Sequence, residues 1–183
     1  MTFNSIDEIY EALDAAHARF AETVNGLDEA VAEFRTAPDR WSIAEVAEHV
    51  AMVESQVVRL ASMMVERAPA AADGQAFAPV SIAEIAERAL KEKFQAPETA
   101  IPRGGASVSD SLARLERAHA ALRELRPRIE RTDGTAMSYP HPVFGTLNLY
   151  QWLVMVGLHK DRHAQQIAQL KASHADARHT AQS

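Results

Sequence analysis

Two histidines lie one helical turn apart in the C-terminal third of the chain. His159 and His163 are four positions apart, and no glycine or proline separates them. In an α-helix, residues at this spacing share one face, and two imidazoles placed there can bind the same metal ion. The pair continues an apolar stripe, whose members are Leu149, Trp152, Val156, Ile167 and Leu170. Because a buried polar side chain needs a partner, the pattern favours a metal site, although the same spacing also arises by chance on solvated helices.

A third histidine, His49, is the natural candidate to complete this site, because two protein ligands are rarely enough to hold a metal ion. Ser42 and Glu45 have the spacing of a capping box, which predicts a helix from Ser42 to about Arg67. His49 lies at the edge of the apolar stripe of that helix. If the histidine pair bound no metal, His49 would be a partly exposed histidine on a helix flank.

The other histidines are weaker candidates for ligands. His17 lies on the apolar stripe of the first helix, where the favoured interpretation is a histidine at the edge of the core. His141 lies in a proline-containing loop and could reach a site at the end of a helical bundle. His174 and His179 lie in a segment without apolar residues. A closed structural site would need a fourth ligand, for which His17, Glu54 and His141 are the candidates.

The composition limits the classes of function. The chain has 183 residues, a net charge of −6 and no cysteine, so thiolate ligands and a cysteine nucleophile are excluded. An acidic chain without a basic patch makes a nucleic-acid partner unexpected. The sequence also lacks a signal-peptide core and a run of about 18 apolar residues, so no membrane partner is expected and a cytoplasmic location is predicted.

Helical periodicity predicts an all-α four-helix bundle over residues 1–172, followed by a flexible tail over 173–183. The predicted long helices are one from Ser5 to about Asn25, one from Ser42 to about Arg67, one that begins at Ser107 or Ser109, and one that begins at Thr146 or Asn148. Shorter helices are expected at 28–34 and 82–94. The segments 68–80, 95–107 and 132–146 are expected to be loops, and they would have to form any substrate pocket.

Two motifs resemble the DinB-like (damage-inducible) metalloprotein superfamily. The segment from Trp41-Ser42 through Glu45 to His49 is similar to the start of that family's second helix. The segment from His141-Pro142 to Leu147, followed by His159, His163 and Gln166, is similar to its fourth-helix signature. The resemblance implies an up-down-down-up bundle with a long crossover between the second and third helices. It also implies three metal ligands, His49, His159 and His163, which usually bind zinc, nickel or a similar divalent ion.

The resemblance also bears on function. Similar proteins include metal-dependent transferases and isomerases that use low-molecular-weight thiols, and hydrolysis of a small-molecule substrate is a further possibility. Homodimers are common in the family. The alternatives are a non-catalytic, stress-associated, metal-binding dimer, or a helical bundle without a metal. Each ligand would need an acceptor for its second N–H, and the candidates are Glu45 for His49 and Gln166, rather than Asp161, for the pair.

Overall fold

The chain folds as a helical bundle in the computed structural model, which describes residues 1–91 and 94–181. Its helices are α1 (Ile6–Val24), α2 (Glu29–Ala32), α3 (Ile43–Arg67), α4 (Ala83–Lys91), α5 (Val108–Ile129) and α6 (Leu149–Ala181), with a 3₁₀ turn at Glu98–Ala100. The long helices α1, α3, α5 and α6 form the four-helix bundle that the sequence predicted. In the described part of the chain, no helix is long and apolar enough to cross a membrane.

The bundle has up-down-down-up topology. Helix α6 runs parallel to α1, α5 runs antiparallel to α1, and α3 runs parallel to α5. For α1 and α6, Thr23 contacts Lys171 and Ala12 lies close to Gly157. For α1 and α5, Asp7 pairs with Arg126 and His17 pairs with Glu116. For α3 and α5, Glu48 bonds Gly104 near their first residues, and Ala70 pairs with Thr132 just beyond their last residues. Two parallel helices that follow each other in sequence need a long connection, and residues 68–107 supply it.

Two short antiparallel ribbons accompany the helices, and the second corrects the prediction that residues 132–146 form a loop. Strand β1 (Thr2–Phe3) pairs with β2 (Val80–Ser81), and β3 (Ser138–His141) pairs with β4 (Gly145–Asn148). The prediction failed at the second ribbon because Pro140 was read as a loop residue. In a two-stranded ribbon each strand is an edge, so a proline without an N–H group can be accommodated.

The helix boundaries follow local signals. The capping box of Ser42 and Glu45 is complete, so α3 begins where the sequence predicted. Helix α5 is capped by Ser107 rather than Ser109 and continues past Pro127, although a proline inside a helix often kinks or ends it. Helix α6 continues to Ala181, so residues 173–181 are helical where a flexible tail was expected. Residues 92 and 93 of the helix predicted over 82–94 lie outside the described residues, and Phe94, its predicted end, is not helical.

The apolar core is divided into two clusters along the bundle. One cluster includes Leu13 of α1, Val57 of α3 and Leu122 of α5, and the other includes Phe20 of α1 and Val50 of α3. Buried polar side chains lie between the two clusters on all four long helices: His17, Glu54, His119, Lys160 and His163. The bundle therefore has a polar layer at its middle, which includes the candidate ligand His163.

Candidate metal centre

The structure brings together the three histidines that the sequence singled out. His49 extends from α3, and His159 and His163 extend from α6, with one ring nitrogen of each within 4.8 Å of the other two. The Nε2 atoms of His49 and His159 are 3.0 Å apart. Two imidazole nitrogens bound at about 2.0–2.1 Å to one ion would be roughly 2.9–3.4 Å apart, for angles between octahedral and tetrahedral. The observed spacing therefore fits two ligands of a single ion.

The surroundings keep these rings neutral at pH 7. Burial lowers the pKa of His163 to about 3 and lowers the pKa of His49. Burial, together with the other two histidines, holds the pKa of His159 well below its ordinary value, although part of its surface is accessible to solvent. A neutral imidazole keeps the lone pair that binds a metal ion. The three rings are thus three uncharged nitrogen donors.

Hydrogen bonds fix the orientation of two of the rings. The Nδ1–H group of His49 donates to the carbonyl oxygen of Ala100 at 2.6 Å. The Nδ1–H group of His163 donates to Oε1 of Gln166 at 2.8 Å, which is the contact that the sequence predicted. With Nδ1 protonated in both rings, the lone pair lies on Nε2, the nitrogen that remains for a metal ion. This arrangement of ligand and acceptor is typical of histidine metal sites.

Glu45 does not orient His49, which corrects the sequence prediction. Its carboxylate accepts a hydrogen bond from the backbone N–H group of Ser42 at 2.7 Å and lies 3.4 Å from the guanidinium of Arg35. It is therefore engaged in capping α3. The acceptor for His49 comes instead from the crossover at Ala100, a backbone atom that no side-chain pattern reports.

The crossover is attached to α3 on both sides of this acceptor. Gln56 donates to the carbonyl oxygen of Thr99 at 2.8 Å. The carboxylate of Glu48 accepts from the backbone N–H groups of Arg103 and Gly104, at 3.3 and 3.0 Å. The position of the Ala100 carbonyl is thus set by α3 itself, the helix that carries His49.

Replacing Gln166 with alanine is expected to reduce the divalent metal affinity by about 10- to 100-fold, because His163 would lose the acceptor that fixes its tautomer. A competition titration with a chromophoric chelator measures this change. Gln165→Ala, at the neighbouring exposed position of α6, is the matched control and should leave the affinity unchanged. Equal affinities for the two variants would show that the hydrogen bond to Gln166 does not support metal binding.

His141 lies outside the three-histidine group but close to it. Its Nδ1 atom accepts hydrogen bonds from the backbone N–H groups of Val143 and Phe144, at 3.1 and 3.2 Å, so its proton is on Nε2. Burial lowers the pKa of His141 to about 4, which keeps the ring neutral at pH 7. A charge on His141 would lower the pKa of His159, so the two rings are near enough to interact. His141 therefore carries its proton on Nε2, in a ring that the backbone N–H groups of Val143 and Phe144 hold in place.

The remaining predicted site residues lie elsewhere. Asp161 forms two hydrogen bonds with Arg19, both of 2.9 Å, and faces away from the centre as predicted. His17 and Glu54 belong to a second group with His119. His174 packs against Phe34.

Only part of the predicted pocket wall surrounds the centre. The segments 95–107 and 132–146 contribute Ala100 and His141. The loop over 68–80 instead contacts the segment after α5, through hydrogen bonds from Ala71 to Arg131 and from Asp133 to Pro69.

No motif in the sequence marks the second group, because neither His119 nor Lys160 belongs to a recognisable ligand pattern. His17 and His119 occupy core positions of α1 and α5, and Lys160 lies next to a candidate ligand. The only available signal was a polar residue at the middle of each of the four apolar stripes. Its meaning depends on the relative heights of the helices, which the sequence does not report.

Comparison with known proteins places the chain in a family. The sequence model of the DinB superfamily matches residues 12–167. The uncharacterized protein YuaE of Bacillus subtilis is 26% identical over 160 residues, which span 81% of this chain and 88% of YuaE.

Two solved structures have a similar fold. TT2238, a four-helix bundle protein, superposes with a TM-score of 0.57 at 25% identity, covering 90% of this chain and 98% of its own. YfiT from Bacillus subtilis, described as a probable metal-dependent hydrolase with an unusual four-helix bundle topology, has a TM-score of 0.56 at 19% identity, covering 92% of this chain and 87% of its own. The family match over most of the chain agrees with the two sequence motifs, and this chain belongs to the DinB superfamily.

Proposed function

We propose that the chain binds one divalent metal ion, zinc or nickel, through His49, His159 and His163, and that it is a metal-dependent enzyme acting on a small molecule. The observation that carries the proposal is the convergence of three neutral imidazoles, two of them oriented through Nδ1. Imidazole nitrogens suit zinc and nickel better than magnesium or calcium, which prefer oxygen ligands.

Two features of the centre favour catalysis over a purely structural role. In the described part of the chain, the ligand group contains three residues, whereas structural zinc sites usually have four protein ligands. The three ligands carry no charge, so the charge of the ion would not be neutralised. A divalent ion in such a site supplies Lewis-acid activation of water or of a thiol.

The protein's own residues would position the reactants. The Ala100 carbonyl and Gln166 hold two ligand rings, and His141 would offer its Nε2–H group as a donor to an oxygen atom of the substrate. The chain contains no cysteine, so in a thiol-dependent reaction the sulfur would come from a small-molecule co-substrate. Hydrolysis, the activity suggested for YfiT, needs only water. In both reactions the nucleophile, a thiol or water, would be activated at the three-histidine centre.

Elemental mass spectrometry on tag-free protein tests the metal site. We expect about one divalent ion per chain in the wild type after loading with zinc or nickel, and almost none when His49, His159 and His163 are all replaced with alanine. Circular dichroism of both proteins confirms that the variant is folded. No bound metal in the folded wild type would contradict the proposal.

Metal-dependent turnover tests whether the centre is catalytic. We expect the metal-loaded wild type to act on a panel of esters and amides, or on electrophiles offered together with low-molecular-weight thiols, and the chelator-treated protein to be inactive. Activity without thiol indicates hydrolysis, and activity that requires thiol indicates transfer. Stoichiometric metal without turnover in either arm would favour a non-catalytic metal-binding bundle.

His141→Phe is expected to lower kcat by about 10- to 100-fold without changing metal content, because the ring size is kept while the N–H donor is lost. The comparison variant is Tyr139→Phe, which alters an exposed residue of the same strand. A kcat equal to that of the wild type in both variants would remove His141 from the proposed machinery.

A further inference from the structure

A second group of ligand-type side chains lies inside the bundle, separate from the three-histidine centre. His17 of α1, Glu54 of α3 and His119 of α5 each place one ligand atom within 4.8 Å of the other two. All three residues are buried, with exposed fractions of 8%, 1% and 8%. Two imidazoles and a carboxylate are one of the donor sets that bind zinc in proteins. Burial of such a group without a cation would be unfavourable, because a carboxylate loses its hydration there.

Each imidazole of this group donates a hydrogen bond to a carboxylate, as metal-bound histidines usually do. The Nε2–H group of His17 donates to Glu116 and that of His119 donates to Asp14, both at 2.9 Å. The two rings are stacked, with centroids 4.0 Å apart and planes 11° from parallel. A carboxylate that accepts from one ring nitrogen leaves the lone pair on the other, which is the usual support of a metal-bound histidine. In both rings the nitrogen with the lone pair is Nδ1.

These two Nδ1 atoms have few hydrogen-bond donors around them. Nδ1 of His17 is buried and has no hydrogen-bond partner among the described residues. Nδ1 of His119 lies 3.6 Å from Oε1 of Glu54 and 3.5 Å from the ammonium nitrogen of Lys160. An unpartnered buried nitrogen lone pair beside a buried carboxylate is the arrangement that a bound cation would satisfy.

Lys160 supplies a cation at this place. Its ammonium nitrogen lies 3.0 and 2.9 Å from the two oxygens of Glu54, and the side chain is 1% exposed. Lys160 therefore sits where the carboxylate and one imidazole of the group converge. A lysine is a point charge that offers N–H donors to both. It donates a hydrogen bond to Oε1 of Glu54 and lies near His119, but Oε2 of Glu54 and Nδ1 of His17 remain without a hydrogen-bond partner among the described residues.

We propose that His17, Glu54 and His119 form a second cation site of the bundle, that the ammonium of Lys160 is its resident cation in the wild-type chain, and that a divalent transition metal binds there once this ammonium is removed. The inference does not depend on the three-histidine centre, since it uses different residues on α1, α3 and α5. The donor set selects zinc, cobalt or nickel rather than magnesium or calcium, because two of the donors are imidazole nitrogens.

The test is the metal content of Lys160→Met, which keeps the length of the side chain and removes its charge. Each protein is loaded with zinc, desalted and measured by elemental mass spectrometry. We expect Lys160→Met to hold about one more zinc ion per chain than the wild type. The readout is the difference between the two proteins, so it remains valid if the three-histidine centre binds no metal and the wild type contains none.

Glu54→Gln combined with Lys160→Met is the matched control, because it removes the carboxylate ligand and the unpaired charge together. We expect this double variant to hold no more zinc than the wild type. Zinc should also raise the unfolding temperature of Lys160→Met by more than it raises that of the double variant, since a metal that binds only the folded state stabilises it.

If Lys160→Met does not fold without zinc, Lys160→Gln keeps an N–H donor near Glu54 and is loaded in the same way. A folded Lys160 variant with the zinc content of the wild type would overturn the proposal. An extra ion that persists in the double variant would also overturn it, because Glu54 would not be a ligand. An extra ion already present in the wild type and lost on Glu54→Gln would show that Lys160 is not the resident cation.

Discussion

Replacing His163 with alanine is expected to reduce zinc affinity by more than about 100-fold, since removing only the hydrogen-bonded partner of a ligand typically weakens binding by 10- to 100-fold. His163 contributes one of three ligand nitrogens, and it is the ligand whose orientation is fixed from its own helix by Gln166. His49 and His159 would remain, and two protein ligands rarely hold a metal ion firmly. A competition titration with a chromophoric chelator measures the change.

A histidine elsewhere on α6 provides the control for this substitution. His174 packs against Phe34 and lies outside the ligand group, so His174→Ala should retain wild-type affinity. Thermal unfolding gives a second readout. Zinc at 100 times its dissociation constant stabilises a folded protein by about 2.7 kcal/mol, and this increment should be present in the wild type and His174→Ala but absent in His163→Ala. Unchanged zinc affinity in His163→Ala would exclude His163 as a ligand.

Local signals in the sequence account for the parts of the fold and centre that were predicted. The capping box at Ser42 and Glu45 sets the start of α3, and the apolar stripes set which faces of α3 and α6 are buried. Once these faces pack together, His49 lies on the same interface as His159 and His163. That the three rings also lie at the same height depends on the relative position of α3 and α6, and the family resemblance rather than helical periodicity indicated it.

The undetected features depend on non-local geometry. The acceptor for His49 is the Ala100 carbonyl, and every residue in the crossover has such an oxygen, so no residue type marks it. Glu45 had the right charge and spacing but was already engaged in capping its own helix. The pairing of Lys160 with Glu54 requires the rotation of α6 and its height relative to α3. If α6 were rotated or displaced along its axis by one residue, a different side chain would lie beside Glu54.

Lys160→Met in the metal-free protein is expected to lower the free energy of unfolding by about 3–5 kcal/mol, because Glu54 would be left buried without its charge partner. Both side chains are 1% exposed, and the ammonium contacts both carboxylate oxygens. Burial lowers the pKa of Lys160, and the Glu54 carboxylate opposes this shift, so the ammonium and the carboxylate depend on each other. Urea unfolding followed by circular dichroism measures the loss.

Two further variants separate the burial of this pair from charge pairing in general. Arg19→Met breaks the exposed ion pair with Asp161, which joins α1 to α6, and should lower the free energy of unfolding by no more than about 1 kcal/mol. Replacing both Glu54 and Lys160 with methionine should recover most of the loss seen in Lys160→Met, because no charge then remains without a partner. If the double variant were as unstable as the single one, the lower free energy of unfolding would come from packing around residue 160 rather than from the unpaired carboxylate of Glu54. Equal losses in Lys160→Met and Arg19→Met would mean that water reaches Glu54, and that the polar layer of the bundle is solvated rather than dry.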